Sequence, residues 1–376
     1  MGSLPFTYLG LPMGTTRPSV TDLMPLIHRI ERKLTSTAQW LSFGGRLQLI
    51  NSALSPLISY ALGIIKLPDT IITLFDRARR HCLWRKSSDR NTIAHSLAAW
   101  HLVCKPKKKG GLGIINLKVQ NTALLMKFMH KFIHKHDTPW CMLVWNKYYY
   151  AGAPQATQPA ASFWWKDIHN LFDIFRGTST CVIRAGDTAL FWKDCWDGRE
   201  PLMNTYPRLF SFTTQEDISF QHFLLLEHQN LHFHLPISLE AATEFDEMNS
   251  WLPEIDIESW RHDEWITSWG DTGFKAKDFY RFCFKEENPP KFITNIWKSK
   301  CILKHKVFAW LMFMDRINTR DMLIRRHWNI GDDHSCLLCP NNILEDRAHL
   351  IFHCPFSQIC WGCWGSSGWR ECQWKS

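Results

Sequence analysis

Three cysteines and a histidine toward the end of the chain have the types and spacing of a metal site. Two residues separate Cys336 from Cys339, nine lie between Cys339 and His349, and four lie between His349 and Cys354. Zinc binds four thiolate or imidazole groups in a tetrahedron, and a Cys-x2-Cys turn lets two thiolates reach one ion. Because four protein ligands leave no position for water, this pattern predicts a structural zinc site.

Spacing alone leaves the fourth ligand open. Residues Glu345 to His353 are predicted to form a short helix, on which His349 and His353 lie one turn apart and can share a face. Cys354 is the neighbour of His353, so either residue can complete the set. The simpler alternative is a group of ordinary buried cysteines and helical histidines. The joint occurrence of the Cys-x2-Cys turn and the His/Cys pair favours zinc.

The composition is that of a globular protein in a reducing compartment. The chain has 376 residues, of which 45% are apolar, enough for two or three domains. Its 13 cysteines are an odd number and no secretory signal opens the chain, so we expect an intracellular protein of the nucleus or cytoplasm. No apolar run predicts a membrane span. The net charge of +9 is compatible with an anionic partner such as nucleic acid.

Apolar residues recur at helical spacing through much of the first 150 residues. Helices are predicted near 22–34, 46–54, 71–84 and 116–136, and a break is predicted at Gly44-Gly45. The elements are connected by loops that contain proline and glycine.

Basic residues gather at three places in this region. They are Arg46 after the Gly-Gly pair, Arg77, Arg79 and Arg80 on one helix, and Lys105, Lys107, Lys108 and Lys109 in a loop that ends on glycines. Backbone N–H groups freed by those glycines could approach phosphates, although the loop lacks Walker spacing. We interpret these cations as candidate contacts to a nucleic-acid backbone. A solvated helix face and a solvated turn are the alternatives.

The middle of the chain follows a linker of small residues at 151–161 and is rich in aromatic residues. Its segments suggest short strands joined by turns, with a more acidic and helical stretch at 215–258. Asp194 and Asp197 could be considered a catalytic pair. Because Asp197 begins an Asp-Gly turn, hydrogen-bonded turn residues are the favoured interpretation.

The last part of the chain is basic and amphipathic from Lys291 onward. An amphipathic helix is predicted through Phe313 and a break at Asp315 to Asn318. Asn318 or Thr319 is placed to cap the next helix at Arg320 to Arg326. That pair of helices leads into the predicted zinc turn.

Several motifs, in this order, resemble the C-terminal part of reverse transcriptases of plant non-LTR (LINE-type) retrotransposons. They are Tyr8–Pro12, Leu41–Arg46, Leu83-Trp84, Lys105–Gly113, Asn121–Leu125, Phe191–Asp194, Trp196, Pro201-Leu202, Ile296–Lys298, Lys304–Leu311, Arg316, Thr319 and Cys336–Cys354. The resemblance implies Cys336, Cys339, His349 and Cys354 as the zinc ligands, with His353 uninvolved. It also implies that residues 1–150, which follow the polymerase palm in that family, grip a primer–template duplex.

The residue patterns and the resemblance together predict a mainly α fold in three consecutive parts. These are a thumb-like helical module at 1–150, a mixed α+β aromatic connection at 151–290, and a small zinc-stabilised helical domain at 291–376.

Polymerase chemistry in that family needs two adjacent aspartates on a palm hairpin and a third carboxylate, which together hold two metal ions. The Asp-Asp pair in this sequence is Asp332-Asp333, which abuts the zinc turn and lacks strand-like apolar flanks, so we interpret it as a loop. We therefore expect a non-catalytic remnant that binds RNA or an RNA–DNA duplex without sequence preference. The alternatives are part of an active RNA-directed DNA polymerase whose palm is missing from this chain, and a zinc-organised protein-interaction module.

Overall fold

The computed structural model describes residues 6–34, 40–84, 96–149, 160–225, 232–255, 257–258, 260–270, 273–331 and 333–363. In these residues the chain is mainly α-helical, as predicted, with two small antiparallel sheets of two strands each. Of the predicted linker at 151–161, all but the last two residues lie outside the described ranges, as does Asp332.

Most elements are short helices. In chain order they are β1 (Phe6–Tyr8), β2 (Leu11–Met13), α1 (Val20–Lys33), α2 (Phe43–Leu49), α3 (Pro56–Leu62), α4 (Asp69–Trp84), α5 (Trp100–Val103), α6 (Leu117–Ile133), α7 (Pro139–Tyr148), α8 (Phe163–His169), α9 (Phe172–Arg176), β3 (Ser179–Val182), α10 (Leu202–Thr205), α11 (Pro207–Phe210), α12 (Phe220–Leu225), α13 (Leu239–Trp251), β4 (Glu264–Thr267), α14 (Ala276–Phe282), α15 (Lys291–Lys298), α16 (Leu303–Phe313), α17 (Arg320–Arg325) and α18 (Pro355–Cys363). Further turns are π-helical at Ile50–Leu54 and His349–His353 and 3-10 at Lys107–Lys109 and Leu252–Glu254.

Two compact units are built from interleaved segments of the chain. The first unit comprises Met1–Arg32, Ser55–Asp76 and Asn116–Glu286. The second unit comprises Lys33–Leu54, Arg77–Ile115 and Glu287–Ser376. This grouping differs from the three consecutive parts predicted at 1–150, 151–290 and 291–376, because the segment 1–150 contributes to both units.

The first unit packs around buried aromatic side chains. Trp165, Trp192, Trp196 and Trp265 are at most 1% exposed. Core packing in this unit therefore accounts for at least these four of the chain's 20 tryptophans. Strands β3 and β4 pair antiparallel with Ser179 opposite Thr267. This pairing carries two sequence-distant segments into one core.

The aromatic region after residue 160 contains more helix than predicted. Phe163–Lys166, which suggested a strand, lies in α8 because the Ser162 hydroxyl caps that helix and accepts a hydrogen bond from the N–H of Trp165 at 3.2 Å. Aromatic residues favour strands only weakly, and here burial against the core decides the conformation.

The second unit depends on a close approach between α2 and α16. Ser42 caps α2 by accepting a hydrogen bond from the N–H of Gly45 at 3.2 Å, so Gly44-Gly45 lies within a helix and the predicted break is wrong. A Cβ on Gly44 would lie 2.8 Å from the backbone nitrogen of Lys304, so glycine is what permits this contact. The buried Trp310 of α16 donates from Nε1 to the carbonyl of Gly110 at 2.7 Å.

Each helix within the described ranges is too short or too polar to cross a lipid bilayer.

Candidate zinc centre and nucleic-acid interface

A short antiparallel bridge closes the loop that holds the first two predicted ligands. Ser335 pairs with Leu344, and the N–H of Cys336 donates to the carbonyl of Ile343 at 2.9 Å. The N–H of Leu338 points to the Cys336 sulfur at 3.4 Å. Burial and the neighbouring thiols raise the pKa of the Cys336 thiol overall, whereas the hydrogen bond from Leu338 acts in the opposite direction and favours the thiolate that binds a metal.

All four ligand atoms predicted from the sequence lie within 4.8 Å of one another. The Sγ atoms of Cys336 and Cys354 are 4.0 Å apart, and Sγ of Cys339 lies 3.4 Å from Nε2 of His349. With Zn–S bonds of about 2.3 Å and Zn–N bonds of about 2.0 Å, the edges of a zinc tetrahedron measure roughly 3.5 to 3.8 Å. The distances of 4.0 and 3.4 Å lie near these edges, so the donor set fits one zinc ion.

Burial separates the two candidates for the fourth ligand. Cys354 is fully buried within the group, whereas the side chain of His353 is exposed. Burial acts to raise the pKa of the Cys354 thiol, but hydrogen bonds from the N–H groups of Ser357 and Phe356 and from two neighbouring thiols lower the pKa overall. Those N–H groups belong to the first turn of α18, a position that stabilises thiolates.

The helical segment that carries His349 is shorter than predicted. The sequence predicted a helix over Glu345–His353, whereas the structure has a π-helical turn over His349–His353. Its start is fixed by the Asp346 carboxylate, which accepts a hydrogen bond from the N–H of His349 at 2.6 Å.

Glu345 lies before that turn, within the segment 336–354 that we call the zinc loop, and forms a hydrogen bond to the start of α17. The Glu345 side chain is 8% exposed, and its carboxylate accepts a hydrogen bond from the N–H of Arg320 at 3.3 Å. Thr319 caps the same helix, as predicted, by accepting from the N–H of Met322 at 3.2 Å. A carboxylate at a helix N terminus is electrostatically favourable, so Glu345 helps to hold the zinc loop in place.

Two of the predicted phosphate contacts are buried in the second unit. Arg46 is 4% exposed, and its guanidinium donates to the carbonyls of Leu41 and Leu83 at 3.0 and 3.3 Å. Arg79 is fully buried and donates to the carbonyl of Ile115 at 2.9 Å. Their donors satisfy backbone carbonyls inside the fold and are out of reach of an external phosphate. This corrects their assignment as surface contacts, and we leave both out of the interface proposed below.

The other two arginines of α4 remain predicted contacts. Arg77 is exposed. Arg80 is half-buried, and its guanidinium lies 5.7 Å from the ring centroid of Trp100, a cation–π geometry.

The four lysines of the predicted loop differ in their surroundings. Lys105 forms an ion pair with Glu287 at 2.7 Å. Lys107 is half-buried and its ammonium lies 5.1 Å from the ring centroid of Trp297. Lys108 is exposed and Lys109 is half-buried. Lys105 is thus neutralised by a carboxylate, which makes it a weaker candidate than Lys107 and the exposed Lys108.

The glycines of this loop do not offer their amides to a ligand. The N–H groups of Gly110, Gly111 and Gly113 donate to carbonyls of the loop at 3.0 to 3.2 Å. Gly110 and Gly113 have positive φ, and a Cβ on Gly111 would lie 2.1 Å from the carbonyl oxygen of Lys105. The glycines therefore shape the turn, and our expectation that their N–H groups approach phosphates is wrong.

Lys306 and Trp297 lie next to the lysine loop at 105–113, and they were not among the contacts to nucleic acid predicted from the sequence. Lys306 donates from Nζ to the carbonyl of Trp297 at 3.1 Å, and Trp297 is the same residue over which Lys107 lies. The run of lysines at 298–306 was a signal of a basic helix face, but nothing in the sequence linked it to a loop almost 200 residues earlier.

The aspartates considered for catalysis have structural surroundings. Asp333 accepts hydrogen bonds from the N–H and hydroxyl of Ser335 at 2.8 and 2.6 Å, as in a turn. Asp197 has a φ of 46° and accepts from the N–H of Ile183 at 3.1 Å. The interpretation of Asp197 as a hydrogen-bonded turn residue is confirmed.

Asp194 is a buried structural carboxylate. It is paired with Arg176 at 3.0 Å and accepts from the N–H of Leu190 at 2.6 Å. Burial raises the pKa of Asp194 to about 6, although the Arg176 charge and the hydrogen bond from Leu190 act in the opposite direction. With no exposed surface, Asp194 is a turn-stabilising residue, as predicted.

Asp263 is a second buried carboxylate, and sequence reasoning did not single it out. It is 2% exposed and accepts four hydrogen bonds at 2.7 to 3.0 Å, from the N–H groups of Arg184, Gly186 and Thr188 and from the Thr188 hydroxyl. The Thr188 hydroxyl in turn accepts from Nε1 of Trp265 at 3.1 Å. Asp263 thus organises the chain that leaves β3.

Comparison with known families places the zinc site in context. Residues 274–361 match the family described as zinc-binding in reverse transcriptase. The match covers α15, α16, α17 and all four residues of the metal site. The predicted zinc cofactor is confirmed by this match together with the geometry of the Cys/His group.

A longer relative is found in Arabidopsis thaliana. It is 23% identical over 350 residues, which is 88% of this chain, and its name assigns it provisionally to the ribonuclease H proteins. The chain spans about half of that relative's length, 54%. Both comparisons are consistent with the C-terminal part of a retrotransposon-derived protein.

Proposed function

Because residues 274–361 match a zinc-binding domain of reverse transcriptases, we propose that this chain binds nucleic acid through the phosphate backbone, without sequence preference and without catalysis. Zinc would stabilise the fold, since all four of its positions are filled by protein ligands. An origin in a plant non-LTR retrotransposon, with RNA or an RNA–DNA duplex as the partner, belongs to the same proposal.

A group of lysines in the second unit is the observation that carries this proposal, and we take their side chains as the proposed surface. Lys107 and Lys108 come from the 3-10 turn, and Lys300, Lys304 and Lys306 come from the region matched by the zinc-binding family. None of the five is among the lysines that form ion pairs within the described ranges. Uncompensated lysines of this kind are typical of proteins that neutralise phosphates and release counterions.

Removing the lysines of the 3-10 turn is expected to weaken the salt dependence of binding. Each neutralised phosphate of a duplex contributes about 0.9 to the slope of log affinity against log salt. Lys107→Ala/Lys108→Ala/Lys109→Ala is therefore expected to flatten that slope by about 1.8 to 2.7, the larger value if Lys107 neutralises a phosphate by itself. The measurement is a salt titration on an RNA–DNA duplex by fluorescence anisotropy. Circular dichroism of the variant checks that the fold is retained.

A matched control has the same change in charge at exposed lysines of the first unit. Lys66→Ala/Lys147→Ala/Lys277→Ala is expected to leave the slope unchanged, since these positions lie outside the proposed surface. If the two triple variants change the slope equally, binding depends on the net charge of the protein and not on the proposed surface. A slope unaffected by the Lys107–Lys109 changes would place the contact elsewhere.

We also expect no template-directed DNA synthesis by the purified protein with magnesium or manganese. The polymerase reaction needs clustered carboxylates that hold two metal ions. In the Asp332-Asp333 pair, the Asp333 carboxylate instead accepts hydrogen bonds from the N–H and hydroxyl of Ser335. The measurement is nucleotide incorporation on a primed RNA template. Incorporation that survives repurification and is lost in Asp332→Ala/Asp333→Ala would revive the polymerase alternative.

A second candidate function is protein interaction through the zinc loop. Several apolar side chains around the zinc ligands are exposed, among them Leu337 at 71%, Ile343 at 46% and Phe356 at 49%. Exposed apolar patches commonly mark interaction sites. A wild-type protein that fails to bind the duplex even at low salt would favour this candidate.

A further inference from the structure

Two ammonium groups from distant parts of the second unit contact the same tryptophan, one at its ring and one at its backbone carbonyl. Lys107 lies over the ring of Trp297 at 5.1 Å from its centroid, and Lys306 donates to the Trp297 carbonyl at 3.1 Å. The 3-10 turn that carries Lys107 packs against α15, which carries Trp297. Both lysines are half-buried, so part of each side chain has been removed from water.

The hydrogen-bonding capacity of this pair is largely unused. A lysine ammonium has three donors and no acceptor. Lys306 uses one donor on the Trp297 carbonyl, while the ring face beneath Lys107 attracts its charge without offering an oxygen. The nearby carboxylate of Glu287 pairs with Lys105 at 2.7 Å, and within the described ranges neither Lys107 nor Lys306 has an acidic partner.

Two like charges brought together at a partly desolvated position repel each other unless an anion lies between them. We propose that Lys107 and Lys306, held by Trp297, form one binding site for a single phosphate group. This inference rests on the proposed function, because the phosphate would be one of the nucleic-acid backbone; a free phosphate ion has the same recognisable chemistry.

The titration behaviour of Lys107 agrees with this geometry. Burial lowers the pKa of Lys107, and the charge of Lys306 lowers it further. A bound phosphate would raise the pKa of Lys107 again, because its negative charge would offset the positive charge of Lys306.

The first test asks whether the two lysines share one phosphate. Salt titrations on the RNA–DNA duplex are compared for Lys107→Gln, Lys306→Gln and the double variant, with Lys66→Gln/Lys147→Gln as the control of equal charge. One shared phosphate predicts that the double variant flattens the log–log slope by about 0.9 in total, whereas two separate phosphates predict about 1.8. A double variant with the slope of wild type, or with the larger change, would overturn the shared site.

The second test uses inorganic phosphate and needs no nucleic acid. The protein is labelled with 13C and 15N during expression, and the side-chain Cε and Nζ signals of Lys107 and Lys306 are assigned by their loss in the two single variants. We expect both signals to shift together over one phosphate titration curve in the full chain, while the exposed Lys66 signal stays in place. Independent curves or no shift would count against the site. A site that binds phosphate in a protein that does not bind duplex would instead overturn the proposed function and leave this inference standing.

Discussion

Replacing Cys339 with serine is expected to abolish zinc binding and to unfold the loop between Cys336 and Cys354. The four ligand atoms lie within 4.8 Å of one another and come from a short loop and one turn, so we expect the metal to be the strongest constraint on them, beyond the few local hydrogen bonds. Structural zinc contributes about 10 to 16 kcal/mol in small zinc peptides, far more than a loop of this size gains by packing. The measurement is the metal content per chain of protein purified with zinc, together with hydrogen exchange of the loop.

Histidine variants provide the matched control for this prediction. His349→Ala is expected to lose zinc, whereas His353→Ala should retain one zinc per chain because its side chain is exposed. Equal damage from His353→Ala and Cys354→Ser would show that the fourth ligand is misassigned. Since thiols must lose their protons to bind zinc, affinity should also fall as the pH is lowered. Wild-type protein with almost no metal would refute the zinc site itself.

Replacing Asp263 with alanine is expected to destabilise the first unit by roughly 3 to 5 kcal/mol, because it leaves buried donors without an acceptor. Asp263 accepts hydrogen bonds from three backbone N–H groups and one hydroxyl, and the residue is 2% exposed. The measurement is urea unfolding followed by tryptophan fluorescence. Trp265, linked to the same network through Thr188, is a natural reporter.

Two further substitutions separate the network from a general effect of lost charge. Asp263→Asn keeps the shape but has only one acceptor oxygen, so its cost should be smaller than that of alanine. Asp246→Ala makes the same chemical change at an exposed helical position of the first unit, where a change within about 0.5 kcal/mol is expected. Similar stability of the Asp263→Ala and Asp246→Ala proteins would mean that the network contributes little.

Local patterns in the sequence were sufficient for the helices with clear periodicity and for the zinc ligands. Leu23, Leu26, Ile27 and Ile30 recur at helical spacing and are the buried residues of α1. The Cys/His group was found because its residues lie within a few turns of one another and zinc imposes a narrow geometry on them. Thr319 as a helix cap belongs to the same class of local signal.

What the sequence could not predict depends on contacts between distant residues. In the sequence, Arg46 and Arg79 cannot be distinguished from arginines at the surface. Only the packing of the second unit buries their guanidinium groups against backbone carbonyls. Trp297 is one aromatic residue among many until the fold brings Lys107 and Lys306 to it. Asp263 carries no motif, since its partners lie some 75 to 79 residues earlier in the chain.

The interleaved construction of the second unit determines when this protein can fold during translation. Its segments Lys33–Leu54 and Arg77–Ile115 leave the ribosome long before Glu287–Ser376, which supplies α16 and the surface that Gly44 contacts. Closing chain loops of this length is entropically costly and slow, whereas the 19-residue zinc loop closes locally. We therefore expect zinc binding to precede completion of the second unit. Until then, the apolar side chains of the two early segments remain exposed. A fragment limited to residues 274–361 would lack Gly110, the acceptor of the buried Trp310 indole. The residues that match a family therefore need not form a folding unit by themselves.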